Sequence, residues 1–401
     1  MAEIALLTHS VLPRGGVVHT LELAEELTAR GHSVTVIAPF EPGQTLFRSL
    51  SCKLALIPLA TVQGSLVEQV CQRIAGLVKG LPAILAAGRF DLLHAQDSLS
   101  GNALAELQPA TPWVRTIHHL DDFSDPQLAA WQTRAWRSAS AVACISEMWC
   151  VKLADDHNVE AERMFNGVNL ARFQPRAEPG DAALLRGLGV REHQPLCLAL
   201  GGVEQRKNSV RLLQAFARLR ASDPAWAQAQ LLIVGGASLL DHSAALRGWR
   251  AALAKCGLTE GPDQAVWRTG PLPDALLPPL MRRAWILAMP SLMEGFGLVA
   301  LEALACGTPV LVSNRKPFTE HLADCPHVAW CDPEDITSIA DGLRAASTLP
   351  RPGSPPAVCI AHSWSRSAEL HEAWYRQVLG RHASSTKGLP HARHALHDSL
   401  A

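Results

Sequence analysis

Short apolar runs recur along this chain, each followed by a stretch with helical spacing, and no other feature limits its fold as tightly. A run too short for a helix and bounded by turn residues makes a strand buried on both faces. Strands separated by helices pair in parallel, because the return path needs about a dozen residues or more. Such runs lie at residues 4–8, 33–38, 91–94, 114–118 and 141–145, and again at 196–200, 230–234, 266–269, 286–289 and 310–313. Between the first two, Leu21, Leu23, Ala24, Leu27 and Thr28 form one helix face, closed by Gly31. Residues 174–194 are polar, carry Pro and Gly, and divide the series. The expected fold class is α/β, with two doubly wound domains at residues 1–174 and 175–361. A chain of 401 residues fits two cores better than one.

Two other stretches are helical. Residues 66–88 carry Arg73, Lys79 and Arg89 on an apolar background and are expected to break at Pro82. They read as an amphipathic helix, with contact to a membrane surface as the other option. Residues 363–379 put Trp364, Leu370, Trp374 and Val378 on one face. The tail at 381–401 has no durable pattern and is expected to be disordered. Its His382, His391, His394 and His397 suit adventitious metal rather than a built site.

The formal net charge of −1 provides no global field for nucleic acid. Ten cysteines lie without CxxC or metal-like spacing, which reads as free thiols in a reducing compartment. The start, Met1-Ala2-Glu3-Ile4-Ala5-Leu6-Leu7, lacks a basic region and reads as a strand, not a signal peptide. The expected location is the cytoplasm, with peripheral membrane contact open.

Glu294 and Glu302 carry the most chemical information. They enclose Gly295-Phe296-Gly297-Leu298-Val299-Ala300-Leu301, after the run at 286–289 and before the helix stop Gly307-Thr308-Pro309. The first acid falls in a glycine-bracketed loop, the second about one turn into a helix. Glycines let backbone approach a ligand, and a helix N-terminus attracts phosphate. Acids beside a phosphate seat bind hydroxyls, so a sugar on one side and a ribose on the other satisfy the set. Acids near a helix start ordinarily only cap it; the Gly-Phe-Gly spacing and the strand–loop–helix frame set this pair apart.

Three more loops follow strands, where open α/β sheets bind ligands. Residues 9–17 contain Gly15 and Gly16. Residues 201–208 contain Gly202 and place Arg206 and Lys207 ahead of a helix. Two cations there oppose the helix dipole unless an anion lies close, and a departing diphosphate is such an anion. Residues 116–122 put His118 at a strand end with His119, Asp121 and Asp122 beside it. Those neighbours suit acceptor hydroxyls or the setting of the histidine tautomer. Two histidines next to carboxylates also permit a metal.

Glu-Gly-Phe-Gly-Leu-x3-Glu-Ala-x-Ala-x-Gly-x-Pro-Val, running from Glu294 to Val310, resembles the signature of family 4 of the retaining glycosyltransferases. The resemblance covers about residues 4–379. It implies the GT-B fold, two Rossmann-like domains facing a cleft, with residues 362–380 as a helix crossing back to the first domain. It implies transfer of a hexosyl unit from a GDP-, UDP- or ADP-sugar with retained configuration, and neither cofactor nor catalytic metal. By the same resemblance Glu294 holds hydroxyls of the donor sugar and Glu302 the ribose. Phe296, Gly297 and Leu298 meet the phosphates through backbone groups, as do Gly15 and Gly16, and Gly295 belongs to the same donor site. Gly202, Gly235, Gly270 and Leu272 line the nucleotide, and His118 lies near the donor sugar. Arg206 and Lys207 neutralise the leaving diphosphate. His119, Asp121, Asp122 and Asp97 fall on the acceptor side.

The chain departs from the family pattern in three places. Gly202 occupies the position of an arginine five residues before Lys207, so Arg206 is the candidate replacement. Asn169 replaces the aspartate of the interdomain motif begun by Asn166-Gly167-Val168. The segment from Ser313 to Glu320 lacks the frequent Gly-Gly, and its Arg315 and Lys316 suit either an anionic substrate or plain exposed charge. Front-face attack needs no enzyme nucleophile, and the sequence nominates no nucleophile–base pair. Two rival functions remain: another GT-B enzyme such as a nucleotide-sugar epimerase, and a non-catalytic sugar-nucleotide-binding subunit. The acceptor (glycan, lipid or small metabolite) and the oligomeric state stay open.

Overall fold

The computed structural model describes residues 1–191, 193–236 and 242–387. Apolar runs become strands, buried on both faces except at the sheet edges. In the first sheet these are β1 (Glu3–Leu7), β2 (Ser33–Phe40), β3 (Lys53–Pro58), β4 (Leu92–Ala95), β5 (Trp113–Ile117), β6 (Ala141–Cys144) and β7 (Glu162–Arg163). In the second they are β8 (Leu196–Leu200), β9 (Gln230–Val234), β10 (Val266–Gly270), β11 (Ile286–Met289), β12 (Val310–Ser313) and β13 (Val328–Cys331). All pairings within these sheets are parallel, in the orders β3-β2-β1-β4-β5-β6-β7 and β10-β9-β8-β11-β12-β13. The order reverses between β1 and β4 and between β8 and β11. Strand ends at such a reversal leave a crevice for ligand.

Helices cover both faces. The first domain carries α1 (Gly15–Ala29), α2 (Leu66–Ala87), α3 (Ser98–Leu107), α4 (Pro126–Arg137) and α5 (Glu147–His157). The second carries α6 (Asp181–Leu185), α7 (Ser209–Ser222), α8 (Ser243–Cys256), α9 (Leu277–Arg283), α10 (Leu298–Ala305), α11 (Phe318–His321), α12 (Ile336–Thr348) and α13 (Ala357–Ala361). The last helix, α14 (Trp364–Lys387), returns to the first domain. There Ala368, Trp374, Tyr375 and Val378 join the core of Ile4, Leu6, Val17 and Leu21. Arg30 clamps Glu372 through two bonds of 2.9 and 3.0 Å. The crossing is threaded at Gly167, where a Cβ would overlap the Trp364 backbone.

Several expectations need correction. β3, β7 and β13 were not anticipated. Helix α2 runs through Pro82 without a break, with that residue on its exposed side and a Ser65–Glu68 capping box at its start. By length and composition α2 could cross a bilayer, yet in the fold Ile74, Leu77 and Leu81 face inward. Leu370 points outward at 36% exposure, while on the inner face Ser367 donates to the Phe165 carbonyl and His371 packs beside His19 and His94. Helix α14 also continues past Arg381 to Lys387, so the first part of the segment expected to be disordered is helical. His391, His394 and His397 lie outside the described residues.

Candidate functional site

The second-domain wall starts where β8 ends. Gly201 and Gly202 turn at φ of 118° and 72°, and both amides donate to the Val234 carbonyl at 2.8 and 3.2 Å. The Gly235 amide donates to the Gly270 carbonyl at 2.9 Å. Gly202, Gly235 and Gly270 thus form one stack of turns at the ends of β8, β9 and β10, with Leu272 packed on the core behind them. A Cβ at Gly202 would sit 2.9 Å from the Gly236 carbonyl oxygen. This backbone has no room for the arginine of the family pattern.

Cations come from the next turn. Asn208, at φ 60°, donates its amide to the carbonyls of Pro290 and Pro333 at 2.9 and 2.6 Å and pins the loop beside the end of β11. Lys207 Nζ donates to Glu294 Oε2 at 2.6 Å. Arg206 Nη1 lies 3.6 Å from Glu294 Oε1, and Nη2 donates to Glu204 Oε2 at 3.2 Å. Burial pushes the Glu294 carboxyl up, but Lys207 and Arg206 outweigh it and hold the pKa at about 2. Glu294 therefore supplies the anion that the cation pair calls for.

Beyond Glu294, Gly297 caps α10 at φ 91°, and no side chain bonds the first-turn amides of that helix. A Cβ there would overlap the Phe318 ring. The Phe296 ring turns into the core and stacks on His321, centroids 4.6 Å apart and planes within 5°. Glu302, one turn further, is 8% exposed. Burial, then Glu22 and Asp274, push its pKa up to about 8 against Arg172 and Arg48. Those four belong to a charged seam at the linker, with Arg172–Asp274 at 2.8 Å, Arg48–Glu22 at 2.7 Å and Asn169 Nδ2 donating to Glu22 at 3.1 Å.

The first-domain wall is built from histidines. Gly16 packs under the His118 ring, its Cβ position 3.6 Å from Cδ2, while the Gly15 position is open. His118 Nε2 lies 3.1 Å from Gln96 Oε1, which places the proton on Nε2. The Gln96 amide reaches the His94 ring at 3.2 Å. His94 sits between Thr116 Oγ1 and Tyr375 Oη, each at 2.7 Å. His19 bonds Asn166 at 2.7 Å and lies 4.7 Å from His118 and 5.7 Å from His371, centroid to centroid. Burial keeps the set neutral: His19 falls to about 3, His371 to about 4, and His94 and His118 well below the usual range.

Of the two roles open to Asp121 and Asp122, the setting of the His118 tautomer falls to Gln96 instead. Asp121 pairs with His119 at 3.3 Å, and Asp122 lies exposed beside Lys152. Asp97 caps α3 through the Ser100 amide at 2.8 Å and stands 3.8 Å from His9. Arg315 pairs with Glu334 on the surface at 2.8 Å. Among the described residues no group of three or more His, Cys, Asp and Glu is arranged for a metal ion.

The two walls touch. A Cβ at Gly295 would overlap the His118 carbonyl oxygen. Burial raises the Asp121 carboxyl, and His119 together with the Arg206 cation across the cleft pulls it below its ordinary value. Glu320 of α11 accepts from the amides of Glu147 and Met148 at 3.0 and 2.8 Å and so caps α5 from the other domain. Sequence reasoning missed Gln96, Glu204, His19 and Tyr375. Gln96 follows β4 at the order reversal, so the crevice rule alone nominates it.

Residues 183–355 match the family model described as glycosyl transferases group 1, and residues 13–172 match glycosyltransferase family 4. A D-inositol 3-phosphate glycosyltransferase of Salinispora arenicola is 34% identical over 61% of this chain and 58% of its own length. The chain thus spans little more than half of that relative. One of the same name from Saccharomonospora viridis is 30% identical, over 72% of this chain and 69% of that protein. Among solved structures, sucrose-phosphate synthase from Thermosynechococcus elongatus superposes with a TM-score of 0.76 at 23% identity, covering 95% of this chain and all 100% of that one. Anabaena HepE in complex with UDP and glucose gives 0.65 at 18%, covering 97% and 100%. These structural likenesses establish a GT-B fold.

Proposed function

This chain belongs to the family 4, group 1 type of glycosyltransferases, and we propose that it transfers a hexosyl unit from a nucleotide diphosphate sugar (GDP-, UDP- or ADP-linked) to a hydroxyl of an acceptor, with retention. One observation carries this reading: Lys207 and Arg206 converge on Glu294, next to Gly295, which packs against the His118 carbonyl, and just ahead of α10, whose first-turn amides no side chain bonds.

The donor diphosphate takes the place of Glu294 at the two cations and adds the α10 amides, so the negative charge that grows as the glycosidic bond breaks meets fixed positive partners. Glu294, ionised at neutral pH because of Lys207 and Arg206, turns to the donor sugar hydroxyls. Neutral His118, held by Gln96, presents Nδ1 as an acceptor to another hydroxyl. Glu302 receives the ribose, and a pKa of about 8 leaves it able to donate or accept there. The acceptor hydroxyl attacks on the face the phosphate leaves, and its proton passes to the departing phosphate oxygen. Two side-chain cations and helix amides do the work a metal does elsewhere. The D-inositol 3-phosphate named for the relatives supports a small polyhydroxylated acceptor. All ten cysteines are free, which supports a cytoplasmic setting, with the apolar α2 as the element for any peripheral membrane contact.

The test is a donor panel of GDP-, UDP- and ADP-sugars read by thermal shift and by nucleotide release. The expected result is stabilisation by one nucleotide class and release that depends on Lys207. Binding without release under every acceptor, or a donor returned with unchanged mass and inverted sugar stereochemistry, would overturn the reading.

A further inference from the structure

A small polar cleft opens on the first domain beside the glycine pair, lined by His9, Ser10, Arg14, Glu41, Gln44 and Arg73. Arg73 is neutralised there by Glu41 at 2.5 Å. His9 lies beside Asp97. Arg14 is different: its guanidinium makes no hydrogen bond and no direct ion pair among the described residues. Burial and the like charge of Arg73 both press its pKa down, and the carboxylates that act on it do so from a distance. One of these, Glu204, belongs to the facing domain and is already shared by Arg206 at 3.2 Å and His242 at 3.6 Å. The cleft wall therefore holds two guanidiniums against one carboxylate, and the uncompensated one lies next to the donor loop. A half-buried cation without a partner is costly, and a guanidinium matches a phosphate or carboxylate through two parallel bonds.

We propose that this cleft seats an anionic substituent of the acceptor, with Arg14 as its direct ligand. Ser10 and Gln44 lie beside it for neighbouring hydroxyls. Arg14 immediately precedes Gly15 and Gly16, and Gly16 packs on His118, so an acceptor anchored there holds its polyol end toward the donor sugar. The inference rests on the glycosyltransferase reading for the word acceptor, not for the anion seat itself.

The experiment measures binding of paired compounds with the protein saturated by its preferred nucleoside diphosphate, so that the donor phosphate seat is filled. The pairs are D-glucose 6-phosphate and D-glucuronate against D-glucose, and myo-inositol 1-phosphate against myo-inositol. The anionic member is expected to bind at least about tenfold tighter, in keeping with a charge-assisted pair. The phosphate and carboxylate arms identify which anion is used. R14A abolishes the preference and R14K restores part of it, while R14A keeps the wild-type thermal shift with nucleotide as evidence of folding. Equal binding within the pairs, no binding of any, or a preserved preference in R14A overturns the proposal. If no nucleotide binds, the pairs are measured without it: the glycosyltransferase reading then fails, and the anion preference is still read on its own.

Discussion

The two walls of the cleft use opposite electrostatics. On the second domain, Lys207, Arg206, Glu204 and Glu294 form a partly open ionic set whose bonds can be exchanged for those of a ligand. On the first, the buried His94, His19 and His371 and the half-buried His118 are neutral, and Gln96, Thr116, Asn166 and Tyr375 fix His118, His94 and His19. A diphosphate needs charge that is present before it arrives and free to change partners. A sugar hydroxyl on the first-domain side meets a neutral acceptor whose direction is already set. The division of labour follows the division of ligand.

Removing the ionic side has the largest expected effect. On the proposed reading K207A takes one of two cations from the leaving group, and it is expected to lower turnover by about 10²–10³-fold, measured as nucleotide release, as for the loss of one preorganised donor. Near-normal turnover would show that charge on this wall does not act on bond breaking.

Acid attacks the other side. The four histidines have folded-state pKa values below the unfolded 6.5, with His19 at about 3 and His371 at about 4. The unfolded chain therefore binds more protons below pH 6.5, and stability falls as pH drops from there toward 4. Each histidine contributes up to about 1.4 kcal/mol per pH unit. Urea melts from pH 7 to 5 should show this slope, and H371L should flatten it by about one such increment; an unchanged slope would mean that His371 charges freely in the fold.

Much of the ionic wall was legible in the sequence, and little of the neutral one. Lys207, Glu294 and Gly297 lie in short loops after apolar strands, so local spacing places them. His94 and Tyr375 are 281 positions apart, and His19 and Asn166 are 147 apart; no local pattern connects them. The missed β3 has a local cause instead: it is an edge strand that ends in Pro58, its side chains are mostly exposed, and nothing in it alternates. The reason for glycine at 202 was equally hidden, because the Gly236 carbonyl that excludes a side chain comes from another strand end.

Glu302 sharpens the comparison with the opposite sign. Its pKa is raised from 4.5 to about 8, so the folded state resists its ionisation and loses stability as pH climbs between those values. E302Q should melt higher than the wild type at pH 8 by at least about 2 °C, with no gain at pH 4.5. A gain of equal size at both would show that packing, not charge, is responsible.

The smallest effect is expected at Gln96. Q96L leaves the His118 proton free to move between ring nitrogens, which should lower kcat by about tenfold, roughly the worth of one buried hydrogen bond, and Q96E should displace the pH profile upward. A loss confined to thermal stability would reduce Gln96 to a packing residue.

The Glu320 carboxylate spans the cleft to bond two consecutive amides, those of Glu147 and Met148. Opening the domains must expose both together, whereas local fraying of α5 would expose its other end first. Deuterium uptake at these two positions is therefore a gauge, native to the chain, of how often the jaws part and of how firmly a bound donor keeps them shut.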